Sequence, residues 1–248
     1  MTPGFDLNKI KFATNESTYK KATGLYEAGK VTGFEERFSG FSAIVLGTKP
    51  YQVFVEERRY DYGSCECYLG QNETLCKHMV AVAICAVLAG KPLRKEDREV
   101  SYMPKCSGKI GELSKEELAA VEKSLSASLK YIKPYSGPSK TWFAYQDSLS
   151  EGCNRLSSII SDLPVDDESA NLLVKLLLKL DKKLTMGGVD DSDGTVGGFI
   201  QETVDVLLEY AKFKPACTES FHLLLNQETS FGWEEPLLKI YKRTKTNN

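Results

Sequence analysis

Three cysteines and one histidine stand close together in this chain with a spacing that suits a metal ion. They are Cys65, Cys67, Cys76 and His78, in the pattern C-x-C-x8-C-x-H. Three thiolates and one imidazole form a closed set of four ligands of the kind that zinc takes in structural sites. The sequence therefore predicts a structural zinc (Zn2+) site at these four residues.

The spacing also indicates which elements must carry these ligands. Residues 51–55 have a strand-like sequence, and we expect the chain to stay extended towards Ser64. Side chains two apart in an extended segment point to the same side, so Cys65 and Cys67 can share one ion. Residues two apart in a helix do not share a face. We therefore expect Cys76 to precede a helix and His78 to lie in its first turn.

The cysteines are also compatible with two roles that involve no metal. They could be unrelated residues that pack as small apolar side chains. They could also form a disulfide, but the chain has seven cysteines, an odd number, and nothing in it indicates secretion. Neither role accounts for the position of His78 in the pattern.

The four residues and their surroundings resemble the SWIM-type zinc finger family. In that family a β-hairpin carries the C-x-C and a helix carries the C-x-H. The strand-like residues 50–56 before the motif and the apolar residues 79–84 after it fit this arrangement. The resemblance covers roughly residues 40–90, and more loosely a helical C-terminal extension at residues 139–226. It implies a zinc site and a role as a DNA- or protein-interaction module.

Length and composition limit the classes of protein that this chain can belong to. The chain has 248 residues, 42% hydrophobic and 27% charged, enough for one large domain or two modest ones. A formal net charge of −2 gives no general attraction to nucleic acid or to an acidic membrane. The N-terminus has no signal-peptide pattern, and no apolar run is long enough for a membrane span. We therefore expect a cytoplasmic protein, where reducing conditions keep thiols available for metal.

The first part of the chain predicts a small α+β domain. Residues 1–15 are expected to be partly loose, residues 16–29 to form a helix, and residues 41–47 and 51–56 to form a β-hairpin. An apolar helix is predicted for residues 79–89, ended by a glycine and a proline. The residues expected to supply much of the core are Phe41, Ile44, Tyr51, Phe54 and Val55.

The second part predicts helices throughout. A capping-box pattern at residues 114–117 opens the first of them. The predicted helices span residues 114–131, 141–163, 166–186 and 193–210, followed by shorter ones near 217–226 and 234–242. The predicted fold class is thus α+β, with a zinc-finger domain at residues 1–105 followed by an all-α domain at residues 110–248.

Other motifs give no support for catalysis or for a nucleotide cofactor. The run Asp190–Gly194 resembles a calcium loop, but Val189 and Ile200 would stand where oxygen ligands are needed, and a helix N-cap accounts for it better. No phosphate-binding glycine loop occurs. His222 lies in an apolar segment and is expected to be half-buried and structural. No catalytic residue is predicted, and we expect the chain not to be an enzyme.

The leading functional hypothesis is a zinc-binding macromolecular interaction protein. Arg58, Arg59 and Tyr68 lie beside the metal motif and are the predicted contacts to nucleic acid or to a protein partner. Nearby acidic residues weaken the case for nucleic acid. The alternative is a protein–protein adaptor in which the helical domain carries binding and the zinc finger only stabilises. A third hypothesis is an enzyme with an unrecognised site.

Overall fold

The computed structural model describes residues 2–246, and the chain divides into two compact units, Met1–Val100 and Ser101–Asn248. Each unit has its own cluster of buried apolar side chains. The first unit contains a four-stranded antiparallel sheet, whereas the described part of the second is mostly helical. The protein therefore belongs to the mixed α and β class.

The first unit combines the sheet with short helices. In chain order its elements are α1 (Leu7–Ala13), α2 (Glu16–Glu27), β1 (Val31–Arg37), β2 (Gly40–Leu46), β3 (Pro50–Glu56), β4 (Gly63–Cys65), α3 (Tyr68–Gln71), α4 (Lys77–Leu88) and α5 (Lys95–Arg98). The strands follow one another in the sheet in the order β1-β2-β3-β4, and every pair is antiparallel. Helix α4 packs on the sheet and on α2.

The side chains of β2 alternate between the core and the opposite face of the sheet. Phe41, Ala43 and Val45 are buried, whereas Ile44 is 41% exposed. The prediction that Ile44 belongs to the core was wrong. Positions 41 and 44 differ by an odd number, so a strand places them on opposite faces.

The N-terminal part is more ordered than the sequence predicts. Residues 1–15 were expected to be partly loose, but α1 forms there and buries Ile10. Its N-cap is Asp6, whose carboxylate accepts a hydrogen bond from the Lys9 backbone N–H at 2.7 Å. Strand β1 was also missed because its sequence is polar, and it forms by pairing with β2.

The helices predicted around the hairpin are confirmed. Helix α2 ends at Glu27 and is followed by Gly29 at φ 62°. Helix α4 is almost wholly buried in its first half and ends at Leu88, and its C-cap Ala89 adopts the left-handed conformation. None of the helices within residues 2–246 is long and apolar enough to cross a membrane.

The second unit consists mainly of α-helices. They are α6 (Lys115–Ser128), α7 (Trp142–Asp162), α8 (Asp167–Thr185), α9 (Thr195–Phe213) and α10 (Glu235–Thr246), with 3-10 helices at Ser139–Thr141 and Pro215–Leu224. The capping box that opens α6 is present. The four long helices were predicted from the sequence, but the segment predicted as a helix near 217–226 is a 3-10 helix.

A buried carboxylate fixes the last loop of this unit. Asp181, on α8, accepts hydrogen bonds from the backbone N–H and hydroxyl of Ser230 and from the indole N–H of Trp233, at 2.7–3.0 Å. Trp233 is 1% exposed and belongs to the apolar core. The loop before α10 is thus held by a charge-assisted network.

The alternation of β2 predicts opposite outcomes for two neighbouring substitutions. Val45→Ala removes two methyl groups from a fully buried site, and we expect it to destabilise the first unit by about 2–3 kcal/mol. Ile44→Ala, on the other face of the sheet, should lower the free energy of unfolding by clearly less. Urea unfolding of the two variants measures this difference, and equal losses would contradict the observed strand phase.

Candidate metal centre

A β-hairpin carries the first two cysteines. The prediction that the chain stays extended from β3 towards Ser64 was wrong. The chain turns after Glu56 and returns as β4, which pairs Cys65 with Val53. Cys67 is the N-cap of α3 and has extended backbone angles, φ −75° and ψ 163°. The C-x-C motif therefore begins at the end of β4. This strand returns antiparallel to β3 and brings Cys65 into the core.

The start of α4 carries the other two residues. Cys76 is the N-cap, with φ −118° and ψ 161°, and His78 lies in the first helical turn. The prediction of a non-helical cysteine and a helical histidine is confirmed. The extended conformation at Cys76 turns its thiol towards the imidazole two residues later, which a continuous helix would prevent.

The four side chains converge on one small buried volume. Their ligand atoms all lie within 4.8 Å of one another, and all four residues are buried. Nδ1 of His78 lies 3.7 Å from Sγ of Cys65 and 3.9 Å from Sγ of Cys76. A tetrahedral zinc with bonds of about 2.0–2.3 Å separates its ligand atoms by about 3.5–3.8 Å. The donor set fits a metal ion such as zinc, and the two nitrogen–sulfur distances are close to this spacing.

The thiols are electrostatically unlike each other. A hydrogen bond from Cys65 lowers the pKa of Cys76, and the same interaction together with burial raises the pKa of Cys65. Cys76 also lies at the N-terminus of α4, where the helix dipole favours a negative charge. Metal ligation needs thiolates, so the fold already favours the required charge at one of the three positions.

Backbone groups support the other two sulfurs. The Cys67 N–H donates to Sγ of Cys65 at 3.5 Å, and the Gly70 N–H donates to Sγ of Cys67 at 3.4 Å. A Cβ at position 70 would lie 2.4 Å from the Cys65 carbonyl oxygen, so only glycine fits there. Sequence reasoning missed Gly70. The available signal was a glycine inside the short loop between the two ligand pairs.

The three predicted contact residues are exposed on the surface of the first unit. Arg58 is exposed. Arg59 forms an ion pair with Asp61 at 2.5 Å, and its guanidinium lies 3.9 Å from the centre of the Tyr62 ring. Tyr68 directly follows the ligand Cys67 and is 80% exposed. The structure thus places the two arginines in the turn between β3 and β4 and Tyr68 at the start of α3, with Arg59 already paired.

Two further sequence predictions concern residues of the second unit. The run Asp190–Gly194 forms a helix-start turn, in which the Asp191 carboxylate accepts hydrogen bonds from the Val196 and Gly197 N–H groups. The expected turn at the helix start is present, but the N-cap residue itself is Gly194, which makes no side-chain hydrogen bond. His222 is exposed rather than half-buried, and its Nδ1 lies 2.6 Å from the Glu219 carbonyl oxygen. Phe221 and Leu224 are buried, whereas the histidine faces outwards.

No family model, no curated protein and no solved structure matches this chain. The resemblance to the SWIM-type zinc finger therefore stays a prediction that depends on the four residues and their two supporting elements. What the structure shows directly is a buried Cys3His group that could hold a metal ion.

The first prediction from this geometry concerns metal content. Purified protein should contain about one zinc per chain, with three sulfurs at about 2.3 Å and one nitrogen at about 2.0–2.1 Å. Elemental analysis and zinc X-ray absorption measure these quantities. A spectrum with fewer than two sulfur ligands would rule out the proposed site.

The second prediction concerns folding. Structural zinc contributes an apparent ~10–16 kcal/mol to small finger domains at neutral pH, more than many small domains have in total stability. Cys67→Ser or Cys76→Ser should therefore unfold the first unit and leave the helical unit folded. Limited proteolysis followed by mass spectrometry reports each unit separately.

Cys85→Ser is the matched control, because Cys85 is a half-buried cysteine of the same unit outside the cluster. It should keep the protease resistance of the wild type. Unchanged resistance of residues 40–90 in Cys76→Ser would contradict the prediction.

Proposed function

We propose that this chain is a zinc-binding interaction protein whose metal site stabilises a surface for a protein partner. The observation that carries the proposal is the convergence of four buried donor atoms within 4.8 Å. Four protein ligands complete a tetrahedron and leave no open position for a substrate or an activated water. The site therefore supports a structural role for the metal, and we propose on the same ground that the chain is not an enzyme.

The surface next to the cluster suits a protein partner. Helix α3 starts at Tyr68 and directly follows Cys67, and it presents Tyr68 at 80% and Leu69 at 45% exposure. Tyrosine is one of the residue types enriched at the energetic centres of protein interfaces. Because the backbone of Tyr68 and Leu69 is tied to the cluster through Gly70, the metal would fix the conformation of this surface.

Nucleic acid is the less favoured partner. Arg59 already pairs with Asp61, which reduces the cationic charge that phosphate groups would meet. Tyr60 is buried, with its ring edge-on to Phe5 at 5.7 Å, and so cannot stack on a base. The whole chain has a formal net charge of −2. Duplex binding depends mainly on neutralising phosphates, so these features argue for weak attraction.

The helical unit is the alternative carrier of binding. Its exposed apolar residues include Ile110, Phe143 and Met186, each at least 70% exposed. Apolar residues exposed singly are normal for a protein surface and do not by themselves define an interface. The proposal therefore places the contact at the metal-supported surface.

The test is capture of partners by the zinc-loaded full chain, with and without nuclease treatment. Tyr68→Ala combined with Leu69→Ala should abolish a nuclease-resistant interaction while zinc content stays at one per chain. Phe143→Ala, which removes an exposed aromatic ring from the helical unit, is the matched control and should retain the partner. Loss of the partner in Phe143→Ala alone would favour the adaptor hypothesis instead.

A salt titration measures the nucleic-acid contribution separately. Each phosphate contact adds about −0.9 to the slope of log affinity against log salt on duplex DNA. We expect weak binding at low salt, and Arg58→Ala with Arg59→Ala should reduce the slope by about 1–2 on unrelated sequences alike. A steep slope that survives both substitutions would place phosphate contacts elsewhere in the chain.

A further inference from the structure

The two ring nitrogens of His78 have different surroundings. Its Nδ1 faces the thiols of Cys65 and Cys76 at 3.7 and 3.9 Å. Its Nε2 is buried and has no hydrogen-bond partner among residues 2–246. Metal-binding histidines usually donate the other ring N–H to a carboxylate, a carbonyl or water, which fixes the ring. Here packing must fix the ring instead.

The loop between β2 and β3 supplies that packing. Gly47 approaches so closely that a Cβ there would lie 3.1 Å from Nε2 of His78 and 3.0 Å from Cε2 of Tyr51. The loop is anchored, because the Gly47 N–H donates to the Lys49 carbonyl at 3.1 Å and the Leu46 N–H to the Lys30 carbonyl at 2.9 Å. The glycine is needed for this close approach rather than for an unusual backbone conformation.

The ring of Tyr51 covers the face of the imidazole. The two ring centres are 4.7 Å apart and the planes are inclined by 30°. The Tyr51 hydroxyl is 2.8 Å from Oγ1 of Thr48, so the ring is tied to the same loop. Rotation of the imidazole that would bring Nε2 to the thiols is therefore opposed by Gly47 at one end and by Tyr51 on one face.

We propose that Gly47 and Tyr51 are positioning residues that make Nδ1 of His78 the metal-binding nitrogen. This inference depends on the proposed metal site but not on the proposed protein partner. It assigns a role in metal affinity to a loop that carries no ligand. In this arrangement the neutral imidazole keeps its proton on Nε2.

The direct test is nitrogen-15 NMR of the full chain loaded with cadmium-113. The chain has two histidines, and His222→Gln leaves only the signals of His78. We expect a cadmium coupling to Nδ1 and a directly attached proton on Nε2. Coupling to Nε2, or to neither nitrogen while cadmium is bound, would overturn the inference and leave a metal-supported partner surface possible. If no metal binds, the proposed function and this inference fail together.

Variants test the positioning role independently of the ligands. Gly47→Ala should weaken zinc affinity on the order of 10–100-fold, as loss of outer support around a ligand does. Gly24→Ala is the matched control, because a Cβ at Gly24 meets nothing within 4 Å. Chelator competition at fixed pH measures both variants, and equal affinities would contradict the role of Gly47.

Tyr51 is tested by a pair of substitutions that does not depend on the folding of Gly47→Ala. Tyr51→Phe keeps the ring over the imidazole and should retain wild-type affinity and the Nδ1 coupling. Tyr51→Leu removes the ring and should weaken zinc binding and reduce the coupling. Equal behaviour of Tyr51→Phe and Tyr51→Leu would show that the ring does not position His78.

Discussion

The first unit depends on bringing three thiols and one imidazole into a single buried space. Burial of such groups is unfavourable unless each is satisfied, and their convergence within 4.8 Å is compatible with one shared metal ion. Two elements must meet for this to occur, the returning strand β4 and the start of α4. The packing of α4 on the sheet holds β4 and the start of α4 next to each other.

The backbone of α3 connects the four-residue cluster to the exposed surface beside it. Gly70 lets α3 turn against Cys65, and its N–H reaches the sulfur of Cys67. Tyr68 and Leu69 are therefore presented from a four-residue helix that would have little stability of its own. The order of this exposed surface follows from the order of the cluster that it directly adjoins.

The helical unit has a different basis for its stability. Its core is apolar, and a buried polar network within it joins Asp181 to Ser230 and Trp233. A buried carboxylate stabilises a fold only when its hydrogen-bond donors are all in place. The network fixes the loop before α10 without any metal, so the two units rely on separate interactions.

The sequence by itself determined the candidate ligands and most of the helices. Ligand chemistry and spacing are local properties, and so are the caps and apolar periodicity that place α2, α4 and α7 to α9. Tertiary structure decided what depends on distant pairing. It formed the polar strand β1 and turned the chain after β3 back into β4. It also brought Gly47 and Tyr51 over His78, because close packing between segments far apart in sequence leaves no local pattern.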